Sequence, residues 1–186
     1  MNSVSLDLRN PQCLGLVNSL LDKGFLVRLE VTGQSMRPFL QGGERVTLAP
    51  AHPARLRLGD LVVHLDPFDA PVLHRIVYRK TIAGRRVFCV QGDGLGYQDE
   101  PFAEDRIMGK AVAIEWPGRP RKINLESPCW QVRNFIIACL SRLRQPRRAG
   151  LPLPGRRAGF LAAYSFFCRA GQKRKLQMVK KLYSYL

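Results

Sequence analysis

What this 186-residue sequence lacks narrows its reading first. Its five cysteines, Cys13, Cys89, Cys129, Cys139 and Cys168, include no C-x-x-C pair. Neither a thiolate metal clip nor a redox couple is therefore expected, and an odd, scattered set suits a reducing compartment. No window approaches the roughly 18 to 20 uninterrupted apolar residues that a membrane-crossing helix requires. The longest apolar stretches, FIIACL at 135–140 and GFLAAYSFFC at 159–168, are short and flanked by arginines. The first residues show no basic start followed by an apolar core, so no secretory signal is expected. No internal repeat is visible.

Acidic residues are also nearly missing from the last third. The net charge of +16 taken whole suggests nucleic acid or an anionic membrane as partner. Residues 1–115, however, hold 14 Lys and Arg against 13 Asp and Glu, whereas residues 116–186 hold 16 against Glu126 alone. The excess charge belongs to the end of the chain, and the remainder is close to neutral.

With 46% hydrophobic residues, the sequence can supply a core. Residues 11–24 set Leu14, Val17, Leu20 and Leu21 at helical spacing, with Gly24 as a stop. From Phe25 the pattern changes to six short segments rich in Val and Ile: FLVRLEV, RVTLAP, GDLVVHL, VLHRIVYR, RRVFCVQG and RIMGKAVAIEW. Separated by Gly, Pro and Asp turns, they predict a mainly β domain built on a folded antiparallel sheet or partial barrel. Beyond Trp116, Ser127 as N-cap and Pro128 at the first helical position predict a helix to about Arg144. QPRRAGLPLPGRR is irregular, and a helix or helix pair is expected from about Ala158 to Leu186. The organisation expected is a helix in 1–24, a β domain in 25–116 and a basic helical extension in 117–186.

A serine hydroxyl becomes a nucleophile only when a base removes its proton and a third group orients that base. Ser35 follows a glycine turn in EVTGQSMRPFLQGGERV. Of the three histidines, His52 lies between prolines in an expected surface loop, and His64 reads as the end of a strand. His74 is a polar ring inside the apolar VLHRIV, where burial demands a hydrogen-bond partner. Asp93 and Asp99 follow on the glycine-rich VQGDGLGYQDE and could supply a carboxylate. Lys80, six residues past His74, is misplaced for a base and reads as solvated.

The ordered blocks GQSMRPFL, GDLVVH, LHRIV, QGDGLGYQD and IMGKAV resemble the type I signal peptidase family across about Val31–Val112. More loosely, they resemble the self-cleaving repressor peptidases (S24/S26-type). Histidine rather than lysine before R-I-V resembles the Ser-His branch found in the endoplasmic reticulum and in spore-forming bacteria. The resemblance implies a serine endopeptidase, a hydrolase that removes a leader or precursor peptide after a small residue. Ser35 would be nucleophile, His74 general base and then acid, Asp99 its orienter and Asp93 a supporting residue. Met36 and Pro38 would shape the turn and the pocket for the small side chain, with ordinary turn packing as their alternative. The backbone N–H of Ser35 would be one oxyanion donor, and no metal or cofactor is implied.

Gln34 stands where signal peptidases usually have glycine, Glu44 where they favour aspartate, and no anchoring helix flanks the expected core. A cytoplasmic location follows, with peripheral attachment to the inner face of the membrane through the basic end, where each cation near anionic lipid contributes about 1 kcal/mol. An acidic precursor or protein partner is the other use of that charge, and nucleic acid is disfavoured. Two readings besides the peptidase remain open: a catalytically silent peptide-binding protein of the same fold, and a regulator like the self-cleaving repressors. Substrate, cleavage site and oligomeric state are not set by the sequence.

Overall fold

The computed structural model describes residues 11–118 and 122–144; the helix or helix pair expected near the C-terminus lies outside them. One compact unit spans Met1–Gln145. It opens with helix α1, Pro11–Asp22, whose Val17 and Leu21 are fully buried. The helix stops as the sequence predicts: Gly24 takes φ +85°, its N–H donates to the Leu21 carbonyl, and the Phe25 N–H reaches back to Leu20. This left-handed cap satisfies carbonyls that the last turn leaves without partners.

Eight strands follow: β1 (Val27–Glu30), β2 (Arg45–Pro50), β3 (Leu61–Leu65), β4 (Pro71–Ile82), β5 (Arg85–Gln91), β6 (Phe102–Ala103), β7 (Ile107–Glu115) and β8 (Lys122–Asn124). All pair antiparallel in the order β1-β2-β7-β3-β4-β5-β6, with β8 also on β7. The protein is mainly β, a curled half-barrel sheet with a helix at each end of the described chain. Register shifts at Thr47/Leu48, Val63/His64 and Ile76/Tyr78 bend the ladders and so help the sheet curl. The β4–β5 hairpin turns on Ala83 and Gly84, both at positive φ (48° and 79°), which suits the right-handed twist of the strands.

Alternation along the strands sorts the core into two clusters. Leu61 and Val63 of β3 join Val17, Leu21, Val27, Leu48 and Ile114 on one face. Val62, Ile76, Phe88 and Val90 gather with Leu56 on the other. Both faces of the central strands are covered, which is why GDLVVH and HRIV read as nearly continuous apolar runs.

Helix α2, Pro128–Arg144, begins at the expected proline. The Ser127 hydroxyl donates to the Asn124 carbonyl, whereas the Ser127 carbonyl accepts from Gln131 N–H. The sequence reading placed this helix in a C-terminal extension; the structure packs it on the sheet. A Cβ on Gly59, which has φ +92°, would lie 2.4 Å from the Asn134 carbonyl carbon, so only glycine permits the helix to approach so closely. Ala138 is fully buried, Trp130 meets Phe39 at 5.9 Å between centroids, and Arg142 lies over the Tyr78 ring. Among the described residues no helix is long and apolar enough to cross a membrane.

Candidate active site

The loop between β1 and β2 carries the serine and is fixed at both ends. Val31 N–H donates to the Glu44 carbonyl, and Gly43 N–H donates back to Val31. The buried Glu44 carboxylate accepts from the backbone N–H groups of Gln41 and Gly42, both at 2.8 Å. Gly42 and Gly43 supply the positive φ that this return requires. Met36 and Leu40, both almost wholly buried, pin the loop into the first core cluster, and Leu40 N–H donates to the Met36 carbonyl. The Arg37–Pro38 peptide is cis. Ser35 is thereby presented one residue ahead of a core anchor. Met36 is buried in the core beneath the serine turn, and Pro38 is exposed.

His74 sits in mid-sheet, opposite Val62 of β3. Its Nε2 is 3.1 Å from Ser35 Oγ and its Nδ1 is 2.5 Å from Asp99 Oδ2. Asp99 is held by its own backbone, which donates from N–H to the Val90 carbonyl and accepts from the Cys89 thiol. Leu95 O accepts from the Gln91 side chain at 2.6 Å, drawing the loop together. Ser35, His74 and Asp99 therefore form one continuous chain of contacts, although they come from a loop, a strand and a second loop.

The G-D-G stretch between β5 and Asp99 explains how the two loops meet. Gly94 N–H donates to the Ser35 carbonyl at 2.9 Å. A Cβ on Gly92 would lie 2.5 Å from that same carbonyl and 3.0 Å from His74 Nε2. On Gly94 it would lie 2.8 Å from the Arg37 carbonyl. Both glycines are therefore sites of close backbone approach at the serine turn.

Asp93 is placed elsewhere. Its two carboxylate oxygens accept from Arg75 Nε at 2.7 Å and Nη2 at 2.6 Å. Arg75 points to the sheet face opposite His74; it is fully buried and also donates from Nη1 to the Gly59 carbonyl and Asn134 Oδ1. Asp93 thus supports the site by tying its loop to β4 and α2, without touching the His74 ring.

His64, read from sequence as a strand residue, lies on the same sheet face as His74, with 5.8 Å between ring centroids. Its Nε2 is 3.4 Å from Asp99 Oδ2. Burial acts to raise the Asp99 pKa, but the His64 and His74 rings facing its carboxylate outweigh it, holding the carboxyl well below the ordinary carboxylate range. Period-two alternation would have placed His64 beside His74 once the β3–β4 register was known; nothing local in GDLVVHL sets that register. His52 is exposed, and Lys80 is exposed on β4 opposite Val87.

No family model matches this chain, and neither does any curated protein or solved structure.

Proposed function

We propose that the protein is a serine endopeptidase that cleaves a leader or precursor peptide after a small residue. The observation that carries this reading is the unbroken relay from Ser35 Oγ through His74 to Asp99, at 3.1 Å and 2.5 Å. As the peptide carbonyl is attacked, His74 Nε2 takes the Ser35 proton, and Asp99 holds the ring and steadies the imidazolium that forms. The developing oxyanion is met by the Ser35 backbone N–H, which has no hydrogen-bond partner among the described residues. His74 then protonates the leaving amine, and a water deprotonated by the same nitrogen releases the acyl group from Ser35. The resemblance of the five sequence blocks to signal peptidases supports the choice of peptide over other acyl substrates. On this proposal the cations after Trp116 hold the enzyme to an anionic membrane surface or to an acidic precursor.

The test is acylation. A fluorophosphonate is expected to label Ser35 in the full chain, and Ser35→Ala and His74→Ala are each expected to abolish labelling while far-ultraviolet circular dichroism stays unchanged. Full labelling of Ser35→Ala, or no labelling of the well-folded unmodified chain, overturns the proposal; the second result leaves a silent peptide-binding protein.

A further inference from the structure

We propose that His64, His74 and Asp99 also form a site for one divalent transition-metal ion, zinc above all, whose binding silences the serine. One ring nitrogen each of His64 and His74 and a carboxylate oxygen of Asp99 all lie within 4.8 Å of one another; His64 Nε2 and His74 Nδ1 are the nitrogens that face Asp99. They come from β3, β4 and the loop after β5, a spacing of 10 and 25 residues that matches no sequence signature for a metal.

The ion is called for by His64. Its side chain is 3% exposed, and its Nε2 is buried without a hydrogen-bond partner. Its Nδ1 lies 3.2 Å from the Leu65 carbonyl oxygen, which can only accept, so Nδ1 carries a proton and Nε2 is the nitrogen open to a cation. That nitrogen faces Asp99 Oδ2 at 3.4 Å. A positive charge belongs between them. Ligands about 2.1 Å from a tetrahedral zinc ion stand about 3.4 Å from each other, whereas a charge-assisted N–H···O bond closes to about 2.8 Å. The His64–Asp99 spacing fits an ion, whereas His74 Nδ1 and Asp99 Oδ2, 2.5 Å apart, share a proton, so the ion enters only as that proton leaves and the Asp99 carboxylate turns to give it room. A backbone carbonyl on the far nitrogen is the usual support of a ligating imidazole. Phe102, stacked on the His64 ring at 4.6 Å and 8°, fixes its plane. Two imidazoles and one carboxylate select zinc, cobalt or copper over magnesium and calcium. The Asp99 side chain is 21% exposed, which leaves a side for entry and a position for water.

The consequence for catalysis rests on the serine-peptidase reading. An ion on His74 Nδ1 takes the place of the proton shared with Asp99, and the ring then keeps its single proton on Nε2. Such a ring donates to Ser35 and cannot accept from it, so metal and a reactive serine exclude each other.

Binding is read without activity, in the full-length Ser35→Ala chain, which retains all three ligands. Titration with cobalt(II) is expected to give the visible absorption of a low-coordinate site, saturating at a single ion and displaced by zinc. His64→Gln in that background is expected to weaken binding at least tenfold with circular dichroism unchanged. Because every cysteine and His52 remain in that variant, undiminished binding assigns the metal to thiolates and overturns the proposal. So does absence of binding with a protonated His64 Nε2 in nitrogen-15 NMR, which makes the cation a proton. In the unmodified chain, zinc is expected to slow fluorophosphonate labelling and a chelator to restore it. Saturated metal with unslowed labelling overturns the inhibitory role, whereas a chain that binds metal and never labels overturns the peptidase reading alone.

Discussion

Arg75 and Asp93 form a two-pronged ion pair, 2.7 Å and 2.6 Å, one residue along β4 from His74 and on the opposite face of the sheet. Arg75 is fully buried, and its remaining nitrogen is divided between Gly59 and Asn134. One guanidinium thus fastens the strand that carries His74, the loop that leads to Asp99, and helix α2. Removing one partner of a buried pair leaves the other charge desolvated and unpaired, a cost of about 3–5 kcal/mol. Asp93→Ala is accordingly expected to lower the urea midpoint sharply and to lose labelling through unfolding. An Asp93→Ala protein of unchanged stability but no labelling would place Asp93 in the chemistry instead.

Asp99→Asn separates orientation from folding. The amide keeps the size of the carboxylate but cannot accept the His74 Nδ1 proton and steady the imidazolium in the same way, so the labelling rate should fall by about 10³–10⁴-fold. The residual rate should still exceed that of Ser35→Ala. Equal rates in Asp99→Asn and unmodified protein would remove Asp99 from the relay.

Gly92 tests whether the two loops must touch. A Cβ there meets the Ser35 carbonyl at 2.5 Å, a contact that only movement of the serine turn or of the 92–99 loop relieves. A displacement of about 1 Å at a reacting group costs about 10²-fold in rate. Gly92→Ala is expected to fold and to label about a hundred times more slowly, as measured by mass spectrometry of the acylated chain. Gly96→Ala, with nothing within 4 Å of its added Cβ, serves as the matched control and should label at the unmodified rate.

The parts of this protein that were legible in the sequence are those set by local chemistry. The strands announced themselves by β-branched runs between turn residues, α1 by its apolar spacing and glycine stop, and α2 by Pro128. The short β6 and β8, two and three residues long, carry too little pattern to be read and exist because β5 and β7 offer them an edge. At the site, His74 was conspicuous as a ring in an apolar strand, and Asp99 as an acid on a glycine loop. Arg75 hides inside HRIV because its partner Asp93 is eighteen residues away, and Asn134 looks like any polar helix residue until Gly59 lets α2 come close. Contacts set by tertiary register leave no local mark. The same holds for α2, whose Asn134 and Ala138 are buried against the sheet although nothing local in the helix marks that face.

The environment of Asp99 leads to a pH prediction whose sign can be worked out. Burial tends to raise its pKa, but the His64 and His74 rings beside it bring it well below the ordinary value. An unfolded aspartate titrates at about 3.9, so the folded form binds its proton less readily than the unfolded chain does. Such a group contributes stability that is complete above the unfolded pKa and is lost as pH falls below about 4 toward the folded one. Asp99→Asn has no such contribution to lose. The stability advantage of the unmodified protein over Asp99→Asn, from urea midpoints, is therefore expected to be larger at pH 5 than at pH 2. An advantage that stays constant or grows across that interval would show that the carboxylate is not held ionised by the two histidines.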